Sequence, residues 1–480
     1  MTATEMRVDL STLVDAIVSG DTSRMIATAR THLLEGEAAD VLIGRIGMIA
    51  AHGDADGHVI TTLAAAAMLC RYLRFIPDPL NPESSAVATE RALPLFVHAL
   101  LAAAPAVHAG FRAEERYPEP LFPSELLDSG KTVSDVMKAA VEQNDVLLVE
   151  RLILGLYGTG ADYRTMEVRT YDGITTTFQA GGHPLIFAVR GFQLLEAVEW
   201  GDRAPHIIHW LAPHLPLQPN NDEPEWVHVV RAYVADPAHD VTGIRKRLAA
   251  PKDEQALPLR QLILSDTDTA SVCQGVYDAL MKNGASPRGI SSVIALAAAD
   301  IALRASENDS ATFTQAAHGL LFASAASLAL RQVQDVDALP LIFTAAAYVN
   351  AQHKEIAQPA APAAPSATTS RAAGGLIGAS QLEALSAQLK SRDFSGALST
   401  TQRYLGLRHD PRPLFGTIGL AAAQTEMDGT QEHILQIVLA ASEEFLAWPR
   451  DLANVNIDAF LKVALRAALT GGRNEAIELL

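Results

Sequence analysis

Apolar residues recur at three- and four-residue spacing along most of this chain. The runs VITTLAAAAMLCRYL (59–73), ALPLFVHALLAAA (92–104) and ISSVIALAAADIALRA (290–305) show it best. Such spacing puts apolar side chains on one stripe or all around a helix, as amphipathic and buried helices require. Prolines and glycines collect between these runs, in FIPDPLNPESS (75–85), RYPEPLFPSE (116–125) and HLPLQPNNDEPE (214–225). There they end helices and set turns. Only MEVRTYDGITTTFQ (166–179) alternates enough to suggest a strand pair, turning at Asp172-Gly173. The pattern otherwise predicts an all-α fold, a large helical array with no sheet beyond three strands.

One stretch differs in kind. Residues 357–378 are rich in Pro, Ala, Ser and Thr and carry almost no large apolar side chains. A segment that buries so little surface reads as a flexible linker. It divides a main helical body, 1–356, from a C-terminal helical segment, 379–480, which is expected to pack into the same body.

Two internal repeats relate distant parts of the chain. TFQAGGHPLIFA (177–188) and TFTQAAHGLLFA (312–323) share a frame in which His183 matches His318. VLIGRIGMIAAHGDADGHVI (41–60) resembles PLFGTIGLAAAQTEMDGTQEHIL (413–435), aligning Asp56-Gly57 with Asp428-Gly429 and His58 with His433. Further on, His98 in the first copy falls opposite Lys462 in the second. Repetition by itself means only that similar helix pairs stack. The histidines add chemistry. A single imidazole on an apolar helix is ordinarily a hydrogen-bonded core residue. Four at repeat-related places need four sets of partners, since an unsatisfied buried polar group costs roughly 1–3 kcal/mol. One shared metal ion satisfies them together, and neutral imidazole is the commonest protein ligand for metals.

Composition narrows the alternatives. With 49% hydrophobic residues in 480, the chain has material for a large core, which excludes disorder. A net charge of −18 repels phosphate backbones and anionic lipid, arguing against nucleic acid and membrane partners. Two cysteines, Cys70 and Cys273, make no disulfide framework or cysteine-rich metal site. The charge-free run Ser310–Leu330 reads as a buried helix, and the acidic N-terminus lacks the features of a signal peptide. The expected location is the cytoplasm. No Walker, GxGxxG, HExxH or GxSxG motif occurs, nor the paired Glu-x-x-His of di-iron bundles.

Among the other histidines, His206 and His209 in DRAPHIIHWLAPHL are three apart and suit either chelation from one helix face or a polar surface. His52 reads as a turn or supporting residue, with Asp54 and Asp56 on the loop that the DADG turn signal sets. His32, His108, His228, His239, His353 and His409 have polar or proline-rich neighbours and read as surface residues.

With these residues in view, the chain resembles the questin oxidase-like family of helical non-haem iron oxygenases, which process aromatic polyketides such as anthraquinones. GHVITTLAAA (57–66), AGGHPLIFAVRGFQLLEA (180–197), FTQAAHGLLFA (313–323) and DAFLKVALRAAL (458–469) carry the resemblance. It implies one mononuclear iron held by several histidines and a carboxylated lysine, here His58, His183, His318, His433 and Lys462. It also implies an aromatic small-molecule substrate and O2. The chain departs from the family pattern at Phe187 and Phe460, where histidines are often found. Lys462 lies among apolar residues on a helix and has two readings. It snorkels as an ammonium, or burial strips its proton and the amine takes up CO2 to become an anionic oxygen ligand. Four imidazoles and a carbamate leave one octahedral position open for O2 or substrate. The competing functions are a helical repeat scaffold with a structural metal or none, and a metal-free carrier of apolar small molecules.

Overall fold

The computed structural model describes residues 9–76, 90–112, 116–161, 163–218, 223–241, 243–244, 251–306, 309–332, 336–356, 378–425, 433–478 and 480. The protein is 75% helical. Among the described residues the only β pairing is an isolated bridge between Thr425 and Arg473. The first helices are α1 (Ser11–Ser19), α2 (Thr22–Leu34), α3 (Ala39–Ala50), α4 (His58–Leu73) and α5 (Leu93–Gly110). A middle group follows: α6 (Val133–Glu142), α7 (Val146–Gly158), α8 (Tyr163–Asp172), α9 (His183–Ala197), α10 (Ala204–Leu211) and α11 (Glu225–Ala235). Next come α12 (Pro258–Ile263), α13 (Thr269–Tyr277), α14 (Pro287–Ala302), α15 (Ser310–Gln332) and α16 (Pro340–Glu355). Beyond residue 377 lie α17 (Gly378–Lys390), α18 (Phe394–Gly406), α19 (Pro411–Ala422), α20 (Ile434–Leu446), α21 (Asp458–Ala468) and α22 (Glu475–Glu478).

Local chemistry starts these helices where the sequence places its polar and proline residues. Asp21, Asp145, Asp268, Ser286 and Asp393 each accept a backbone N–H of the first turn. Proline opens α9, α14, α16 and α19, where its missing N–H is no loss. The segment 166–179 does not form the strand pair that its alternation suggests. Residues up to Asp172 finish α8, and Ile174, Thr175, Thr177 and Phe178 are buried without pairing to a strand. Asp172 is itself buried against Ser134 and Arg169, so the Asp-Gly step ends a helix instead of turning a hairpin.

Four helices form a closed ring in which each packs on the next: α4 on α9, α9 on α15, α15 on α20, and α20 back on α4. The small residues of α4 allow this close approach. Ala64, Ala65 and Ala66 are fully buried, and Thr61 donates no bulk while its hydroxyl accepts from Gln436 of α20 at 2.8 Å. α20 and its neighbours α19 and α21 therefore pack on α4, α14 and α15 of the preceding chain. The linker expected at 357–378 falls almost wholly outside the described residues, as does Asp428-Gly429. Two helices, Leu93–Gly110 and Ser310–Leu330, are long and apolar enough to cross a membrane, and 61% and 83% of them respectively is buried.

His98 illustrates how this core handles an imidazole without a metal. It is 5% exposed on α5 and its Nδ1 donates to the Ala423 carbonyl at 2.9 Å. Burial pulls its pKa down to about 4. Unfolded, the ring titrates near 6.5 and takes up a proton that the folded state refuses. The stabilisation is therefore whole above about pH 6.5 and is lost as pH falls toward 4. Over that window His98 is expected to remove roughly 1 kcal/mol of stability per pH unit. Urea unfolding of wild type and His98→Gln at about pH 7.5 and about pH 5.5 checks this. Equal pH slopes in the two proteins would contradict it.

Candidate metal centre

The ring of helices brings His58, His183, His318 and His433 toward one place, three from within helices and His433 from the cap of the fourth. His58 and His183 open α4 and α9, His433 is the residue before α20, and His318 lies inside α15. Gly57 and Gly182 immediately precede the first two, at φ +86° and +88°. A side chain there would be strained, and it would also meet neighbouring rings. A Cβ on Gly57 would stand 2.6 Å from the Phe187 ring, and one on Gly182 would stand 2.2 Å from Phe322. The loop before α4 is held from beneath by Asp54. Its buried carboxylate accepts the backbone N–H groups of Gly57, Val59 and Ile60, and the indole N–H of Trp210 at 3.1 Å. Burial raises the Asp54 pKa to about 6. The DADG turn is thus anchored beneath His58 by Asp54, while Ala55 and Asp56 are exposed.

The ring nitrogens face one another. Nε2 of His183 lies 3.2 Å from Nε2 of His58 and 3.3 Å from Nε2 of His433. Ligand-capable atoms of these three rings all lie within 4.8 Å of one another. The His318 ring lies beside these three, with centroid distances of 4.6 Å to His433 and 5.5 Å to His183, but it is outside the group that meets the 4.8 Å limit. Nitrogens bound at about 2.0–2.1 Å to one ion stand roughly 2.8–3.4 Å apart in octahedral or tetrahedral geometry. The two measured separations fall within that interval.

His183 donates its Nδ1 proton to the Ala180 carbonyl, and His318 donates its own to the Thr314 carbonyl at 2.9 Å. A neutral imidazole has one N–H, so Nε2 of His183 is left with a single lone pair. It cannot accept from both neighbours, and at least one of its two short contacts has no proton to bridge it. Adding protons does not resolve the conflict. Burial, and then the neighbouring rings, pull His183 down to about 4 and His433 to about 2, and burial lowers His318 too. His58 turns Nδ1 toward the Asp56 carboxylate at 3.4 Å, and this buried nitrogen has no hydrogen-bond partner. Backbone or carboxylate acceptors behind the rings, with lone pairs in front, are the usual surroundings of metal-bound histidines.

The group lies toward the N-terminal ends of three helices and is only partly enclosed. His433 is buried, and the other three rings are half-buried. An open pocket of 470 Å³ reaches His58 and His183. Phe187, Pro184, Pro213 and His214 form much of its wall. Phe187 sits one turn beyond His183, its ring centroid 5.1 Å from that imidazole and 5.7 Å from His58.

Lys462 lies on α21. It is half-buried on the side of α21 that meets α14, where its charge acts on Asp300. That carboxylate is held by Arg260 at 2.7 and 2.9 Å. Asp458, Lys462 and Arg466 follow at four-residue spacing and share a half-buried stripe, while Phe460, Leu461, Val463 and Ala464 fill the core. The snorkelling ammonium is the reading that this placement supports.

Other histidines part company with their sequence readings. His206 and His209 do not chelate together. His206 Nδ1 meets His52 Nε2 at 2.8 Å and the Tyr117 hydroxyl at 3.1 Å, whereas His209 Nδ1 donates to Glu150 at 2.7 Å. That bond raises the His209 pKa. His32 and His353 are buried, paired with Glu37 and Arg304 respectively, despite their polar sequence neighbours. His214 was not singled out at all, and nothing in DRAPHIIHWLAPHL distinguishes it from His206 or His209.

A cluster of three to four converging imidazoles beside a pocket can bind a transition metal and leave one face accessible. Compared with known protein-family models, curated proteins and solved structures, this chain shows no significant match to any.

Proposed function

We propose that Nε2 atoms of His58, His183, His318 and His433 hold one mononuclear iron ion. The protein would then be a non-haem iron oxygenase acting on an aromatic or quinone-type polyketide, by ring cleavage or oxygen insertion. The observation that carries the metal is the His183 Nε2 atom, which has one lone pair and two nitrogen neighbours at 3.2 and 3.3 Å. Iron and aromatic chemistry rest on the resemblance of the His58, His183 and His318 segments to the questin oxidase-like family. Bound iron would supply activation of dioxygen. Carbonyls of Ala180 and Thr314 fix the tautomers of His183 and His318, and Phe187 keeps water from one side of both His58 and His183. Lys462 has no part in this proposal.

A structural metal in a helical scaffold is the competing reading, but structural sites are closed by their ligands, and this one meets a pocket. Anaerobic loading of metal-free protein with Fe(II), followed by oxygen-electrode assay with a hydroxylated anthraquinone, tests the proposal. About one iron per chain and substrate-dependent oxygen uptake are expected. Zinc or no metal in the purified protein, with no uptake after iron loading, would leave the scaffold reading in its place.

A further inference from the structure

The wall of the pocket facing the imidazole cluster carries a polar group that the metal does not use. His214 ends the short turn Ala212–His214, with its ring 5.0 Å from Phe187 and 5.4 Å from Trp210. Two aromatic rings flank it and Asp56 and His58 act on it electrostatically, but burial is the largest influence and pulls its pKa to about 4. At neutral pH it is an uncharged ring, offering one N–H donor and one lone pair. Its position relative to His183 is fixed by Gln179. That side chain donates to the Pro216 carbonyl at 2.7 Å and accepts the Gln218 N–H at 2.9 Å. Gln179 thus staples the 214–218 strip to the Ala180–Gly182 turn that leads directly into His183.

We propose that His214 is a ligand-binding and specificity-determining residue. It takes the oxygen of an uncharged, flat, largely apolar molecule carrying a hydroxyl or carbonyl at its edge. Three features of the pocket converge on that chemistry. Phe187, Pro184 and Pro213 offer surfaces suited to a ring or other flat apolar body. A neutral imidazole hydrogen-bonds either a hydroxyl or a carbonyl, so it rewards an oxygen without requiring a charge. A ligand without that oxygen leaves a half-buried imidazole facing apolar surface, which is unfavourable. The inference rests on the metal-centre reading for its catalytic meaning, because His214 then orients what enters beside the ion. Its binding test does not depend on that reading.

The test uses 2-naphthol and its near-isostere 2-methylnaphthalene as probes, measured by calorimetry on the full-length protein, with metal content determined on the same samples. Wild type is expected to prefer 2-naphthol by roughly 2–10-fold, the value of one net hydrogen bond. His214→Ala should erase that preference while leaving 2-methylnaphthalene affinity and metal content unchanged. His214→Gln, which keeps a donor and an acceptor, should restore part of it. Circular dichroism of both variants establishes that they are folded. A preference that survives in His214→Ala overturns the proposal, as does failure of either probe to bind wild type. If the preference behaves as expected but wild type holds no metal, the oxygenase reading fails and the role of His214 stands. If iron is present and the preference is absent, the reverse holds.

Discussion

Replacing any one of His58, His183, His318 or His433 with alanine is expected to reduce metal affinity by more than about 100-fold, because loss of a group that merely supports a ligand already costs 10–100-fold. Each substitution removes one of four convergent nitrogens, and the remaining three do not rearrange easily. His183 and His318 are pinned by backbone carbonyls, and His58 follows the turn anchored by Asp54. His433→Ala should also relieve one short nitrogen contact in metal-free protein, so its fold is expected to survive. His228→Ala, an exposed position, and His409→Ala should leave metal content untouched. Elemental analysis of the six purified variants after identical loading checks this. Full metal retention by any of the four, or equal loss in the controls, would count against the site.

The largest effect on stability is expected at a buried ion pair that ties two of the ligand-bearing helices. Arg190 of α9 is 1% exposed and Glu443 of α20 is 6% exposed; their side chains meet at 2.9 Å. Gln193 donates to the same carboxylate at 2.8 Å and accepts from Arg190 at 2.6 Å. Removing one partner strands the other charge in the core. Glu443→Ala or Arg190→Ala is therefore expected to destabilise the protein by about 3–5 kcal/mol. Replacing both with apolar residues of similar size, Arg190→Met with Glu443→Leu, should recover most of that loss. Denaturant unfolding of the three variants measures it. Single variants as stable as wild type would show that the pair is not held as described. Because α9 presents His183 and α20 follows His433, the single variants should also bind metal more weakly than the double variant.

The helical fold was legible because Ala- and Leu-rich runs with a 3.6-residue period are long, and prolines mark their ends. The segment at 166–179 was ambiguous for a physical reason. Thr, Tyr and Val favour strands locally, but Met166, Val168 and Tyr171 are buried against other helices, and packing decides such cases. The histidine group was visible through the repeats, although the repeats are not structural copies. Gly181-Gly182 break the backbone before His183, whereas Ala316-Ala317 let α15 run straight through His318. Equal sequence position thus put one histidine at a helix start and the other in mid-helix, and convergence arose from how α9 packs on α15. Lys462 was left with two readings because apolar neighbours on a helix do not tell which face a residue occupies. His214 and the Arg190–Glu443 pair were not legible, since their meaning lies in contacts across long stretches of chain.

Crystals of iron-loaded protein, measured on both sides of the iron absorption edge, test the central claim most directly. The account predicts one anomalous peak per chain, roughly 2.0–2.3 Å from the Nε2 atoms of His58, His183, His318 and His433, with none at Lys462. A peak elsewhere, for instance between His52 and His206, or no peak among the four imidazoles, would contradict it.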